Sequence, residues 1–116
     1  MKIRDAMVPH TACVGPNDRA SAAIAVMKVA CVDTLAVLDH RKVSGTVTKE
    51  DVLRSTSERR RPAQLLRVDE VMSEHRVRAR EDEELAPVEE RMKAAGLSVI
   101  PVVNDKNHIV GLFHLP

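Results

Sequence analysis

The chain has 116 residues, 44% of them apolar, with one Phe and no Trp or Tyr. Eighteen Lys and Arg stand against 17 Asp and Glu, a formal net charge of +1. That length and apolar content fit one compact fold and exclude a disordered chain, while the lack of aromatic rings and net charge argues against base-stacking surfaces and against a field that draws in nucleic acid or membrane.

The opening "MKIRDAMVPH" lacks the apolar stretch of a signal peptide, and the longest apolar run is far too short for a bilayer. The two cysteines, Cys13 and Cys31, are not in C-x-x-C spacing and do not make a disulfide scaffold. These features predict a cytoplasmic protein in a reducing compartment.

In chain order, "TACV" reads as a short extended piece. A helix follows, with Asn17 or Asp18 as its cap and an apolar stripe of Ala23, Val26, Met27 and Ala30. The β-branched run "VDTLAVLD", the polar turn "HRK" and the run "VSGTVT" predict two strands. "KEDVLRS" is a short helix, and "RSTSERRRPAQ" reads as a polar linker. The same order then returns. "RVRA" is extended, and a helix starts at Asp82 or Glu83 with the stripe Leu85, Val88, Met92 and Ala95. Pro87 must lie in its first turn, and Gly96 is a natural terminator. "LSVIPVVN", the turn "DKNH" and "IVGLFH" close the chain, which stops at Pro116 before a second helix.

The recurrence is an internal repeat. Met7 precedes Met27 by 20 residues and Met72 precedes Met92 by 20, so an offset of 65 aligns the halves. The boundaries read as repeat one over 1–57, a linker over 58–65 and repeat two over 66–116. The expected fold class is α/β (α+β), with two β-α-β-β-α repeats, the second lacking its last helix. Neither half buries enough apolar area alone, so the halves are expected to pack sheet to sheet about a pseudo-twofold axis.

Thr48 and Asp51 admit two readings. A Thr at a helix start with an acidic residue three places on is a capping-box arrangement, although Glu or Gln is the usual partner. A carboxylate at that place can equally accept from both hydroxyls of a sugar diol, beside helix N–H groups that suit phosphate. His10, Cys13 and Cys31 fit no zinc spacing, so no metal is expected. The two cysteines read as buried inert thiols, with a redox-sensitive disulfide as the alternative. "SERRRP" reads as solvated linker rather than a phosphate-backbone patch. No catalytic grouping or Gly-rich phosphate loop is present, so the chain is not expected to be an enzyme.

The phrases "IRDAMVP" and "VDEVMSE", the helix-to-strand stretches "AVMKVACVDTLAVLD" and "ERMKAAGLSVIPVVN", and "VSGTVTKEDVL" together resemble a tandem pair of CBS (cystathionine-β-synthase) domains, a Bateman module. The resemblance covers residues 2 to 116. It implies a regulatory module for adenosine compounds: AMP, ADP, ATP, and in some members S-adenosylmethionine or NAD. It implies a ligand in a cleft between the repeats, with ribose held by a G-x-x-[ST]-x-x-D phrase, here Gly45, Thr48 and Asp51. Carried over by position, Thr46 lines the same cleft and adenine lies against Val77, Leu97 and Ser98. The phosphate side departs from the family pattern. Asp33 and Thr34 stand where members often carry Arg or His, and Glu50 stands where Arg often precedes the Asp. Like charge there disfavours phosphate, while Lys49, Arg54 and the arginines Arg59 to Arg61 supply positive charge. A second, weaker site would be lined by Ala12, Cys13, Val32 and Asp33, with His114 in place of Thr48. Members commonly form homodimers through exposed helices and report ligand occupancy to a protein target. The alternatives are a ligand-free interaction scaffold, and a redox-responsive module working through Cys13 and Cys31.

Overall fold

A computed structural model describes residues 1–9, 12–40, 42–74 and 77–116. In chain order it contains a 3-10 turn (Ile3–Asp5), β1 (Val8–Pro9), β2 (Cys13–Val14), α1 (Ala20–Ala30), β3 (Thr34–Asp39), β4 (Lys42–Thr48) and α2 (Lys49–Arg59). Then come a 3-10 turn (Ala63–Leu65), α3 (Val68–Val71), β5 (Ser73–Glu74), β6 (Ala79–Arg80), α4 (Leu85–Ala95), β7 (Val99–Val103) and β8 (Ile109–His114). The fold is α+β, with two four-stranded sheets.

The chain divides into two compact units. The central unit is the continuous stretch Ala12–Glu74, and the composite unit joins Met1–Thr11 to His75–Pro116. The central sheet has the order β2-β3-β4-β5 and the composite sheet the order β1-β8-β7-β6. In each, one parallel pair is bridged by a helix: β2 and β3 through α1, β6 and β7 through α4. The remaining pairs are antiparallel. Parallel neighbours need such a crossover, whereas antiparallel neighbours need only a turn.

The helices bury the stripes their sequences mark, with one shift. Ala23 and Met27 of α1, and Val88 and Met92 of α4, are buried, and Val26 and Leu85 pack partly against the cores. Ala30 and Ala95, expected in the stripes, are exposed. Each is the last residue of its helix, where the chain turns away into a left-handed residue: Cys31 at φ 56° and Gly96 at φ 68°. The amides around these residues close the helices onto their own carbonyls. Val32 N–H donates to Met27 and Leu97 N–H to Met92, at 3.0 and 2.9 Å. Pro87 falls in the first turn of α4, where its missing donor costs nothing.

The helix starts differ from expectation. The residues preceding α1 and α4 are Arg19 and Glu84, and neither makes a side-chain cap. Instead a distant backbone carbonyl does the work. Ala20 N–H donates to Leu66 (2.7 Å) and Leu85 N–H to Met1 (2.9 Å). Asp18 and Glu83, read as caps, tighten the preceding turns by accepting from Gly15 N–H (2.8 Å) and Arg80 N–H (2.7 Å).

The segments that bring those carbonyls also complete the cores. Leu66, Val68 and Val71 are buried among Val14, Ala23, Met27, Leu35 and Val47 of the central unit. Ile3 is buried among Val88, Met92, Ile100, Val102 and Phe113 of the composite unit. So the opening phrase of repeat one, "IRDAMVP", belongs to the core built mainly from repeat two, and "VDEVMSE" to the core built mainly from repeat one. Each segment ends in a two-residue edge strand, β1 or β5. Both strands lie against a glycine of the neighbouring strand. A Cβ at Gly45 would stand 2.1 Å from the Ser73 carbonyl oxygen, and one at Gly111 would stand 2.4 Å from that of Val8. The polar stretch after α2 is also more structured than a linker, because α2 continues to Arg59 and buries Ser55 beside Val52.

Candidate ligand-binding site

The β4–α2 junction is where the central unit concentrates its buried polarity. Among the described residues, the buried polar or charged ones are Thr34, Thr46, Asp51 and Ser55, all in this unit. Thr46 lies in β4 opposite Ala36 and Ser73, and Thr34, the first residue of β3, lies opposite Thr48. Thr48 is extended (φ −109°, ψ 161°) and serves as the N-cap of α2.

The capping box is complete. Thr48 Oγ1 accepts from Asp51 N–H at 3.0 Å, and Asp51 Oδ2 accepts from Thr48 N–H at 2.9 Å. Arg54, one turn along, donates from Nη2 to Asp51 Oδ1 at 2.8 Å. The Asp51 side chain is only 10% exposed, whereas that of Arg54 is 57% exposed. A carboxylate so far out of water needs compensation. It receives a backbone donor, the positive end of a helix and a guanidinium. A carboxylate has about four acceptor positions, so these two bonds leave capacity for a further donor such as a sugar hydroxyl. Lys49 opens α2, its N–H donating to the Asp33 carbonyl at 2.9 Å, and its side chain is exposed.

Thr46, Thr48, Lys49 and Asp51 are therefore brought together on one strand-to-helix junction. Thr34 and Arg54 join them there. Sequence reasoning placed both only on the phosphate side, Arg54 as a source of positive charge and Thr34 as a departure from the family pattern, and did not foresee either beside Asp51 and Thr48. The hairpin register of β3 and β4 would have found Thr34, and the i,i+3 spacing on a helix would have found the Asp51–Arg54 contact. Ala12 packs partly against the central core and Cys13 is half-buried in β2. Val32 and Asp33 are exposed just before β3.

In the composite unit, Val77 and Leu97 pack partly against its core. Ser98 is exposed, and its carbonyl accepts from Leu115 N–H at 2.8 Å. His114 ends β8 opposite Val99 and is exposed.

Cys13 and Cys31 are not joined in a disulfide. Cys31 is exposed, contrary to the expectation of two buried thiols, because it occupies the left-handed residue that ends α1. Burial pushes the Cys13 thiol up from its ordinary pKa, which keeps it in the less reactive protonated form. Among the described residues, no three His, Cys, Asp or Glu side chains are grouped to hold a metal. His10 lies outside the described residues. No described helix is long and apolar enough to cross a membrane.

Comparison with known proteins agrees with this architecture. The CBS domain model matches residues 3–58 and 68–115. The inosine-5'-monophosphate dehydrogenase of Methanocaldococcus jannaschii is 29% identical over 115 residues, which are 98% of this chain and 22% of that protein. A probable arabinose 5-phosphate isomerase of Haemophilus influenzae is 25% identical over 111 residues, 96% of this chain and 33% of that protein. The chain thus spans at most a third of either relative. Among solved structures, the CBS domain pair of protein MJ0100, in complex with 5'-methylthioadenosine and S-adenosyl-L-methionine, matches with a TM-score of 0.83 and 22% identity, covering 98% of this chain and 89% of that one. With both matched segments together spanning most of its length, the chain belongs to the CBS domain family, as a pair of CBS domains.

Proposed function

We propose that this CBS pair is a regulatory module that binds an adenosine-containing small molecule, of the AMP, ADP, ATP or S-adenosylmethionine class, with its ribose on Asp51. The observation that carries the reading is the Asp51 carboxylate. It is held in one orientation at the start of α2, out of water, with acceptor positions to spare and with the Thr48 hydroxyl beside it. The solved MJ0100 pair, with its two adenosine compounds, supports the ligand class. The same reading gives the adenine to Val77, Leu97 and Ser98, and a second, weaker site to Ala12, Cys13, Val32, Asp33 and His114. Occupancy would be reported to a protein target by a homodimer. Val29 and Leu53, exposed on α1 and α2, supply apolar surface suited to pairing.

Calorimetric titration with AMP, ADP, ATP and S-adenosylmethionine tests this. At least one gives saturable heat with the wild-type chain, and Asp51→Ala weakens that ligand by about tenfold or more, the worth of a charge-assisted pair of hydrogen bonds. Silence from all four compounds overturns the reading.

One observation favours a second reading, a scaffold without a small ligand: the Thr48–Asp51–Arg54 set satisfies itself with no outside partner. Melting separates the two, because a ligand that binds only the folded chain raises the melting temperature.

A further inference from the structure

Sequence alone offers several cations to the phosphate side of an Asp51 ligand, and the structure sorts them. Arg59 is committed to Glu70, donating from Nη1 to Oε2 at 3.3 Å and from Nη2 to the carbonyl at 3.1 Å. Lys49, Arg60 and Arg61 are exposed, and the charge of Arg61 acts on Glu70. Among the described cationic side chains, Arg54 is the one that contacts Asp51. One nitrogen, Nη2, meets Oδ1 at 2.8 Å, and the side chain as a whole is 57% exposed. The guanidinium is a rigid fork of five donors. Docking one nitrogen on a buried carboxylate fixes the fork, and its other N–H groups have no further partner among the described residues, which suits them to receive a phosphate.

We propose that Arg54 is the charge selector of the Asp51 site, favouring phosphorylated adenosine compounds over neutral or cationic ones. This rests on the adenosine reading and adds which members of that class are taken. A ligand whose diol accepts Asp51 as partner meets Arg54 at the same carboxylate. A nucleoside monophosphate brings an anion to the open side of the fork, so both charges of the ion pair stay compensated. A neutral nucleoside can use the remaining acceptor positions of Asp51 but offers the guanidinium nothing. A sulfonium compound such as S-adenosylmethionine adds a cation beside it and is repelled. Glu50, exposed on the same turn, opposes phosphate. Both charges face water and are screened alike, and what favours Arg54 is that a buried partner holds it in place.

The test is calorimetric titration of the whole chain with AMP, adenosine and S-adenosylmethionine, using wild type, Arg54→Gln and Arg54→Lys. Wild type binds AMP about tenfold or more tightly than adenosine, the range of a charge-assisted contact. Arg54→Gln brings the two ligands close to equal and tightens S-adenosylmethionine, while Arg54→Lys keeps most of the preference. The ratio between two ligands on one variant is immune to a change in its stability, because both sample the same folded fraction. A wild type that prefers adenosine or S-adenosylmethionine, or an AMP-to-adenosine ratio unchanged in Arg54→Gln, overturns the selector and leaves the adenosine reading standing. Absence of binding by all three compounds to every variant overturns the selector, and silence from ADP and ATP as well overturns the adenosine reading.

Discussion

The two units bear the same supersecondary plan but are assembled differently. The central unit is one uninterrupted stretch, whereas the composite unit joins segments separated by the whole of the other. Among the described residues, the central core cluster holds eleven buried apolar residues, three of them from the segment after α2, and the composite cluster seven, one of them from the opening segment. The central unit also has α2, and the composite unit has no helix after β8 among the described residues. The central unit therefore combines a larger buried cluster with a polar junction, and each core is completed by a segment borrowed from the other repeat. Asp51 and its capping box lie in the unit with the larger buried core, where a fixed carboxylate is easiest to maintain.

The largest test of this contrast removes the borrowed side chains. Ile3→Ala and Leu66→Ala each delete a fully buried aliphatic group, and each is expected to cost about 2–5 kcal/mol. Their locations differ. Ile3→Ala raises amide hydrogen exchange in 77–116, and Leu66→Ala raises it in 12–60, read by mass spectrometry of peptide fragments. If Ile3→Ala instead loosens chiefly its own half of the sequence, the exchange of segments between repeats is refuted.

A smaller effect comes from the glycines under the two edge strands. Gly45→Ala and Gly111→Ala each force a methyl against a neighbouring backbone carbonyl, and overpacking of this kind costs about 1–3 kcal/mol. Urea denaturation measures it. A wild-type midpoint in Gly45→Ala would mean that β5 does not lie where the structure puts it. Gly45 shows how one motif residue can have a second, purely steric reason. In sequence it begins a phrase that ends in Thr48 and Asp51, so it reads as part of a ligand loop. In the structure its lack of a side chain serves the approach of Ser73.

Legibility followed the range of each interaction. The helical stripes, the paired β-branched runs, Pro87 and Gly96 were readable because their causes lie within one turn or one pleat. Thr48 and Asp51 were readable as a capping box for the same reason, and the box is present. The strands β1 and β5 were not readable. Two residues cannot display an alternation, and Pro9 argues locally against a strand. The caps of α1 and α4 were misassigned because their acceptors, the Leu66 and Met1 carbonyls, come from segments far away in sequence. Backbone partners leave no side-chain signature.

The helix ends offer a finer comparison. Cys31 and Gly96 occupy equivalent left-handed positions, one with a side chain and one without. For a non-glycine residue that conformation costs about 1–2 kcal/mol, partly offset by the greater chain entropy glycine loses on folding. Cys31→Gly is therefore expected to stabilise by about 0.5–1 kcal/mol, and Gly96→Ala to destabilise by about 1 kcal/mol. Thermal melts under reducing conditions decide it. A lower melting point for Cys31→Gly would show that the Cys31 side chain contributes more than its backbone strain costs.

The smallest difference concerns acid. Position 91 in the composite unit is Arg where the equivalent place in the central unit is Val26, half-buried against apolar neighbours. Arg91 grips Glu83 with both terminal nitrogens, at 3.1 and 3.2 Å, and donates to the Arg78 carbonyl at 2.9 Å. This hydrogen-bonded guanidinium holds the Glu83 carboxyl below the usual range. A folded-state pKa below the unfolded one means the unfolded chain binds protons first. The pair's contribution is thus present above the unfolded value of about 4.3 and disappears as pH falls through the lower folded value. Both side chains are about one-third exposed or more, so screening limits the effect to about 1 kcal/mol or less. Between pH 6 and pH 3, hydrogen exchange in 77–103 of the wild type should accelerate more, after correction for intrinsic rates, than in Arg91→Met. Equal acceleration in the two would mean that the ion pair does not support the composite unit.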